Sequence, residues 1–151
     1  MKKSFQASSL WKFKMKGFKF FIIIFMLFST LTGWSQAKWG ASKDALTGKG
    51  TLEEAFYAAK ESSDVKYIQL QRDVSTAKAH TITGGSFTLD LNGNTVKCRS
   101  DENTIIISGE NTEVVIIDNS DNQNGSIINT KTSAVLVSQG KVTISGGTYE
   151  S

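Results

Sequence analysis

Proline is absent from this 151-residue chain, and cysteine and histidine occur once each. A single cysteine cannot form a disulfide within the chain, so a disulfide-stapled scaffold is excluded. The single histidine, His80, has no cysteine or aspartate at metal-ligand spacing, so the sequence contains no zinc motif. Acidic residues are missing from the first 43 positions, whereas six of the 17 basic residues lie in the first nineteen. The N-terminal segment therefore differs from the rest of the chain in its charge composition.

The first 37 residues have the order of a secretory signal peptide. Polar residues with scattered lysines reach Lys19, nine apolar residues follow at 20–28, and small residues stand at Ser35 and Ala37. This spacing fits the small-x-small cleavage rule, so we expect the mature chain to begin at Lys38, with no membrane attachment after cleavage. An uncleaved membrane anchor is the alternative, but the apolar core is shorter than the about 20 residues that a spanning helix needs.

The part of the chain after residue 37 is acidic overall. It contains 11 basic and 14 acidic residues, a net charge of −3. A nucleic-acid-binding protein needs a basic footprint on its folded part, so this class is excluded. The same part has few aromatic residues and many Asn, Thr, Ser, Gly, Val and Ile, which is typical of short strands joined by turns. We expect a linker over residues 38–49 and a folded all-β domain over residues 50–151.

One helix is predicted at the start of the folded part, over residues 51–61. Thr51 and Glu54 have the spacing of a capping box. The apolar residues that follow recur at helical spacing and form one stripe: Leu52, Ala55, Phe56 and Ala59. A stripe this short is not stable alone, so we expect the helix to lie on an apolar surface.

Short strands are predicted for the rest of the chain. Residues 65–74 alternate in the manner of a half-buried strand, and residues 75–79 are expected as a loop. From His80 onward, three strands recur with Gly and Asn turns between them. Two sets of apolar residues align at offsets of 27 and 28 residues, namely Phe87, Val114 and Val142, and Leu89, Ile116 and Ile144.

Three strands per repeat favour a parallel β-helix, in which each turn of the chain, or coil, stacks on the previous one. The aligned residues would then point inward and form a continuous core. A sandwich of antiparallel hairpins is the alternative, but it does not require the register match. The same alignment places Val115 and Ile117 outward, so we expect a loop, Trp39 or a partner to cover them.

Four stretches of sequence carry a resemblance to a known family. They read TLEEAFYAAK at residues 51–60, YIQLQRDV at 67–74, FTLDLNGNTV at 87–96 and VTISGGTY at 142–149. These stretches resemble the beginning of bacterial secreted right-handed parallel β-helix proteins of the pectin-lyase-like superfamily. The resemblance covers residues 50–151 and implies about two and a half coils, with the helix capping the open end of the cylinder.

No catalytic, cofactor-binding or metal-binding residue is predicted. Enzymes of this superfamily use clustered carboxylates, and the acids in the repeats are Asp90, Asp118 and Asp121. Asp90 aligns with Ile117 and Ser145 rather than with another acid, so it is interpreted as a solvated residue before a turn. The stretch DNSDNQNG at 118–125 lacks the Gly and Glu positions of an EF-hand loop and is interpreted as a long turn.

The two remaining reactive side chains are interpreted as structural. His80 is expected at a loop-to-strand boundary. Cys98 is expected as a half-buried small hydrophobe at the end of a strand, because a lone reactive thiol would be a liability in an oxidising compartment.

Two functions follow from these observations. The first, which we predict, is a non-catalytic β-helix module, secreted or on the cell surface, that serves adhesion or glycan contact, with carbohydrate or a surface partner as its ligand. The second is the N-terminal part of a polysaccharide lyase or glycoside hydrolase whose active site lies beyond residue 151. Strands 134–138 and 142–145 would leave backbone groups unpaired, so we expect a truncated product or self-association through the last coil.

Overall fold

The computed structural model describes residues 35–151, and the predicted signal peptide, apart from its last three residues, lies outside them. This part of the chain is dominated by strands and contains one helix, α1 (Leu52–Glu61). The strands are β1 (Ala37–Gly40), β2 (Leu46–Gly50), β3 (Tyr67–Leu70), β4 (Val74–Thr76), β5 (His80–Ile82), β6 (Ser86–Asp90), β7 (Thr95–Cys98), β8 (Ile105–Ile107), β9 (Glu113–Ile117), β10 (Ser126–Ile128), β11 (Val135–Val137), β12 (Lys141–Ile144) and β13 (Thr148–Glu150). Within residues 35–151, no helix has the length and apolar character needed to cross a bilayer.

The segment expected as a linker, residues 38–49, instead forms an antiparallel hairpin. Strand β1 pairs with β2 on one side and with β3 on the other, both antiparallel. Trp39 lies opposite Gly48, and a Cβ atom on that glycine would clash with the indole ring. The absence of a side chain at Gly48 therefore makes room for the indole ring.

Trp39 does not cover the outward apolar pair Val115 and Ile117. It lies opposite Ile68 of β3, and opposite residues of an antiparallel pair project to the same face. Ile68 is fully buried, so the indole faces the core and packs against its edge. Of the three covers expected for this pair, Trp39 is therefore excluded, and both residues are half-buried on the outer face.

The strands form three sheets, and from β3 onward successive strands belong to the first, second and third sheet in turn. The first sheet has the order β2-β1-β3-β6-β9-β12, the second β4-β7-β10-β13, and the third β5-β8-β11. Apart from the β1 pairings, all neighbouring strands are parallel. The predicted registers are confirmed, because Phe87, Val114 and Val142 are aligned partners, as are Leu89, Ile116 and Ile144. A sandwich of antiparallel hairpins is not consistent with this pairing.

The single strand predicted over residues 65–74 is two strands in two different sheets. The chain leaves the first sheet after Leu70 and enters the second at Val74. Hydrogen bonds fix the corner between them: the backbone N–H of Thr95 donates to Asp73 (2.8 Å), and that of Gln71 donates to the carbonyl of Gln36 (2.9 Å). Apolar residues alternate on both sides of the corner. The alternation therefore did not show that the strand is interrupted between Leu70 and Val74.

Inward residues from the three sheets form the core in columns. In the first sheet Ile68, Leu89 and Ile116 are fully buried, and in the second Val96 and Ile127 are buried in the same way. The columns become exposed in the last strands, where Ile144 is 49% exposed. Val142 and Ile144, predicted as core residues, are therefore only partly covered, because β12 has a neighbour on one side alone.

The helix packs as its sequence pattern predicts. Its four stripe residues are buried, and the capping box is present, with Thr51 accepting from the backbone of Glu54 (3.2 Å) and Glu54 accepting in return (2.8 Å). The helix lies against β1, β2, β5 and β6. It approaches Gly85 so closely that a Cβ atom there would lie 2.6 Å from the carbonyl oxygen of Ala59.

Candidate functional site

The carboxylate of Asp90, which ends β6, is the first candidate for chemistry, but it is engaged in the fold. Its side chain is fully buried and accepts the hydroxyl of Tyr67 (2.6 Å) and the backbone N–H groups of Asn92 and Asn119 (3.0 Å each). The interpretation of Asp90 as a solvated residue is wrong, because its oxygens satisfy donors in two successive corners. Burial, together with the hydrogen bond to Asp90, raises the pKa of Tyr67 to about 12, so this phenol stays a donor.

Asp118 holds the next corner in the same way. It accepts the backbone N–H groups of Gly93 (2.8 Å), Ser120 (3.1 Å) and Gly125 (2.6 Å). Burial acts to raise the pKa of Asp118, but these hydrogen bonds to the charged form outweigh it and lower the pKa. The loop expected at 118–125 is therefore organised around its first residue.

These acids do not assemble a catalytic or metal centre in the part of the chain that is described. Asp121 is exposed on the same loop, away from this hydrogen bonding. Among residues 35–151, no group of three or more His, Cys, Asp or Glu side chains is placed to hold a metal ion. Cys98 ends β7 and is fully buried, with its sulfur 3.2 Å from the hydroxyl of Ser100.

A groove lies between α1 and the third sheet, and we call it the cap groove. It has a volume of about 320 Å³. Its lining residues come from the outer side of α1 and from β5 and the residue that follows: Glu53, Phe56, Tyr57, Lys60, Thr81, Ile82 and Thr83. Phe56 and Ile82 are buried, whereas Tyr57 is 65% exposed. The groove thus combines an apolar base with an exposed aromatic ring, two charges of opposite sign and two hydroxyl groups.

His80 lies beside the cap groove but inside the core. It occupies the same column of the third sheet as Ile105 and Val135, and its side chain is 1% exposed. Its Nδ1 atom lies 2.9 Å from Oε1 of Glu53, and its ring meets that of Phe56 edge-on, with centroids 6.3 Å apart. Burial lowers the pKa of His80, although the carboxylate of Glu53 acts in the opposite direction. The imidazole therefore lies behind Glu53, whose side chain is mostly exposed at the rim, and is itself too deep to meet a ligand.

The side chains of the cap groove can make stacking contacts and hydrogen bonds. The Tyr57 ring offers a flat apolar surface, and the rim of the groove offers polar groups. The hydroxyl groups of Thr81 and Thr83 lie on the side opposite the helix and can both donate and accept. The groove can therefore hold a small, mostly neutral polar ligand through one stacking contact and several hydrogen bonds.

Sequence reasoning did not identify Tyr57 or the burial of His80. Tyr57 lies off the apolar stripe of the helix, and an aromatic residue on the outer face is the signal that could have found it. His80 stands two residues before Ile82 in an alternating strand, so its inward direction was also readable. Its contact with Glu53 depends on how the helix packs against β5 and could not be inferred from the sequence.

Comparisons with protein-family models, curated proteins and solved structures found no match to this chain. The pectin-lyase-like superfamily named from the sequence motifs therefore remains a prediction, and the structure of this part of the chain supports only its coarser form, a domain of mostly parallel sheets with one helix.

Proposed function

We propose that this chain is a secreted or cell-surface module with a right-handed parallel β-helix fold, which binds carbohydrate at the cap groove without catalysis. The cyclic order of the three sheets supports the fold, since each passage through them adds one strand to every sheet. Connections between parallel strands of one sheet are right-handed in about 98% of cases, which supports the handedness. The leader-like N-terminus supports export.

The exposure of Tyr57 is the observation that carries the binding proposal. At 65% exposure, the Tyr57 ring offers a flat apolar face to a ligand in the groove, with a polar hydroxyl at its tip. Here Glu53 and Lys60 also line the groove, and their opposite charges give it no net charge, so we expect no strong preference for a charged ligand. Asp90 and Asp118 are committed to backbone donors, and this favours binding over hydrolysis or elimination.

Titration with neutral oligosaccharides tests the proposal. The exported protein is titrated in a calorimeter with soluble gluco-, xylo- and manno-oligosaccharides, and with oligogalacturonate as the acidic comparison. We expect a neutral oligosaccharide to bind with a dissociation constant in the micromolar to millimolar range, ~10 µM to 1 mM. Tyr57→Ala is expected to weaken this binding about tenfold or more, because the stacking surface is lost.

Two threonine variants separate groove contacts from general effects. Thr81→Ala removes a hydroxyl that lines the groove, whereas Thr143→Ala removes an exposed one on β12 at the far edge of the first sheet. Weaker binding is expected only for the first. If no oligosaccharide binds, or if Tyr57→Ala binds as the unaltered protein does, carbohydrate binding at this groove is refuted.

We propose a second contact, with another copy of the same chain, at the last round of strands. Each of β11, β12 and β13 has a neighbour on one side only. The N–H groups of Lys141 and Ser145 donate toward β9, so by alternation those of Val142 and Ile144 point to the free edge. Val137 and Ile144 are 40% and 49% exposed at this end, which adds an apolar surface to the unpaired backbone.

A further inference from the structure

Gln36 is part of the folded domain, although the predicted signal peptide includes it. Its backbone N–H donates to the carbonyl of Gly50 (2.8 Å), and its carbonyl accepts from the N–H of Gln71 (2.9 Å). These two bonds extend the pairing of β1 by one residue on both sides. Ala37, the next residue, is fully buried opposite Leu70 and Gly50.

The side chain of Gln36 also completes the N-terminus of the helix. Its Oε1 atom accepts the backbone N–H of Leu52, the first residue of α1, at 3.0 Å. The first N–H groups of a helix have no partner within the helix, so an acceptor from elsewhere in the chain satisfies one of them. Gln36 therefore connects the first sheet to the helix that carries the cap groove.

We propose that the leader is removed between Ser35 and Gln36, so that Gln36 is the first residue of the exported protein. This inference rests on the export proposed above. Gly33 and Ser35 are both small, so the small-x-small rule is met two residues before the site that ends at Ala37.

The reaction is hydrolysis of one peptide bond by a leader peptidase of the export machinery. Water is consumed, Ser35 leaves with the leader as its new carboxylate end, and Gln36 acquires a free α-amino group. That nitrogen is the atom that donates to Gly50, and an ammonium group can make the same hydrogen bond. Cleavage after Ala37 would instead remove all three hydrogen bonds of Gln36 and a buried side chain.

The N-terminus of the exported product tests the inference directly. The full chain, Met1 to Ser151, is produced in a bacterial host with working export, and the exported fraction is analysed by intact mass and N-terminal sequencing. We expect a chain that starts at Gln36, either as glutamine or as the lactam that it forms by losing ammonia. A start at Lys38 overturns this inference and leaves export standing, whereas retention of Met1 overturns both.

A leader variant separates the two cleavage sites without altering the folded part. Gly33→Leu removes the small residue two positions before Ser35, but leaves both small residues of the site that ends at Ala37. We expect this variant to accumulate as precursor. Processing at the unaltered rate would overturn the inference.

A stability measurement tests the role of Gln36 in the fold. In the exported protein, Gln36→Ala is expected to lower the melting temperature by about 5 °C, since one helix N–H loses its acceptor. Gln36→Glu retains an acceptor oxygen and is expected to lie close to the unaltered protein. An unchanged melting temperature for Gln36→Ala would contradict the contact with Leu52 on which the inference rests.

Discussion

At the scale of single residues, the buried carboxylates join successive rounds of the chain. Asp90 ends β6, yet it accepts the backbone N–H of Asn119 in the corner that follows β9. Asp118 accepts the N–H of Gly93 in the corner that precedes it along the stack. Each of these carboxylates therefore accepts backbone N–H groups from two different corners. These two residues therefore act as fixed supports for the corners between the first and second sheets.

Removing the Asp90 carboxylate should be strongly destabilising. In Asp90→Ala, the hydroxyl of Tyr67 and two backbone N–H groups lose their acceptor in a buried place, so we expect a loss of roughly 2–4 kcal/mol in the free energy of unfolding. Urea denaturation followed by circular dichroism measures it. Asp121→Ala, at an exposed carboxylate of the next loop, serves as control and should change stability by less than about 0.5 kcal/mol. Equal effects would mean that Asp90 is solvated after all.

Asp118 should make the fold sensitive to acid. Its pKa in the folded protein is lowered below the value of about 3.9 in an unfolded chain, so its charged form stabilises the fold above that pH. This contribution is lost as the pH falls through the folded-state pKa. In Asp118→Asn the decline of stability between about pH 5 and pH 2 should be shallower than in the unaltered protein. Urea midpoints across this range measure it, and the Asp121→Asn profile should run parallel to that of the unaltered protein.

At the scale of the elements, a strand's contribution depends on whether it has neighbours on both sides. Leu89, Ile116 and Ile144 occupy one column of the first sheet, but only the first two lie between strands. The same inward position is therefore core in β6 and β9 and half-open in β12. Helix α1 covers the opposite end of this stack, where its stripe buries Phe56 against Phe87 with ring centroids 5.9 Å apart.

Truncations along this column should differ with position. Ile116→Ala is expected to cost about 3–4 kcal/mol in the free energy of unfolding, because it leaves a cavity in a fully buried site. Ile144→Ala is expected to cost only about 1 kcal/mol, since that side chain is 49% exposed already. Thr143→Ala, on the outer face of β12, should be nearly neutral. Denaturant titrations of the three variants measure the free energy of unfolding. Similar losses for Ile116→Ala and Ile144→Ala would show that the end of the stack is covered.

At the scale of the whole molecule, the two ends of the stack of strands differ in what covers them. One end carries the hairpin β1–β2 and the helix, whereas the other presents the free edges of β11, β12 and β13. Unpaired strand edges beside apolar side chains favour pairing with another chain. A charge on the exposed end should oppose such pairing without touching the interior.

Sedimentation analysis of the exported protein should show association that increases with concentration. Ile144→Lys places a charge on the apolar end and is expected to shift the protein toward monomer. Ser86→Lys adds the same charge at an exposed residue of β6, away from the free edge, and should associate as the unaltered protein does. A monomer at every concentration, or equal effects of the two lysines, would refute association through the last strands.

The sequence by itself determined the repeat, its register and the cap of the helix. Alternation has a fixed period of two, and a parallel register aligns equivalent side chains, so the match of Phe87, Val114 and Val142 could be found from spacing alone. The capping box of Thr51 and Glu54 involves residues three apart and is equally local.

Only the tertiary structure decided which polar residues are buried and where the chain turns. The burial of Asp90 depends on donors from Tyr67 and Asn119, which lie 23 and 29 residues away, and no local pattern encodes such contacts. The cap groove likewise requires the helix and β5 to meet, and their approach depends on packing across the core. The hairpin at 38–49 was missed because its strands are held by pairing with each other and with β3, and the absence of a side chain at Gly48 makes room for the Trp39 ring opposite.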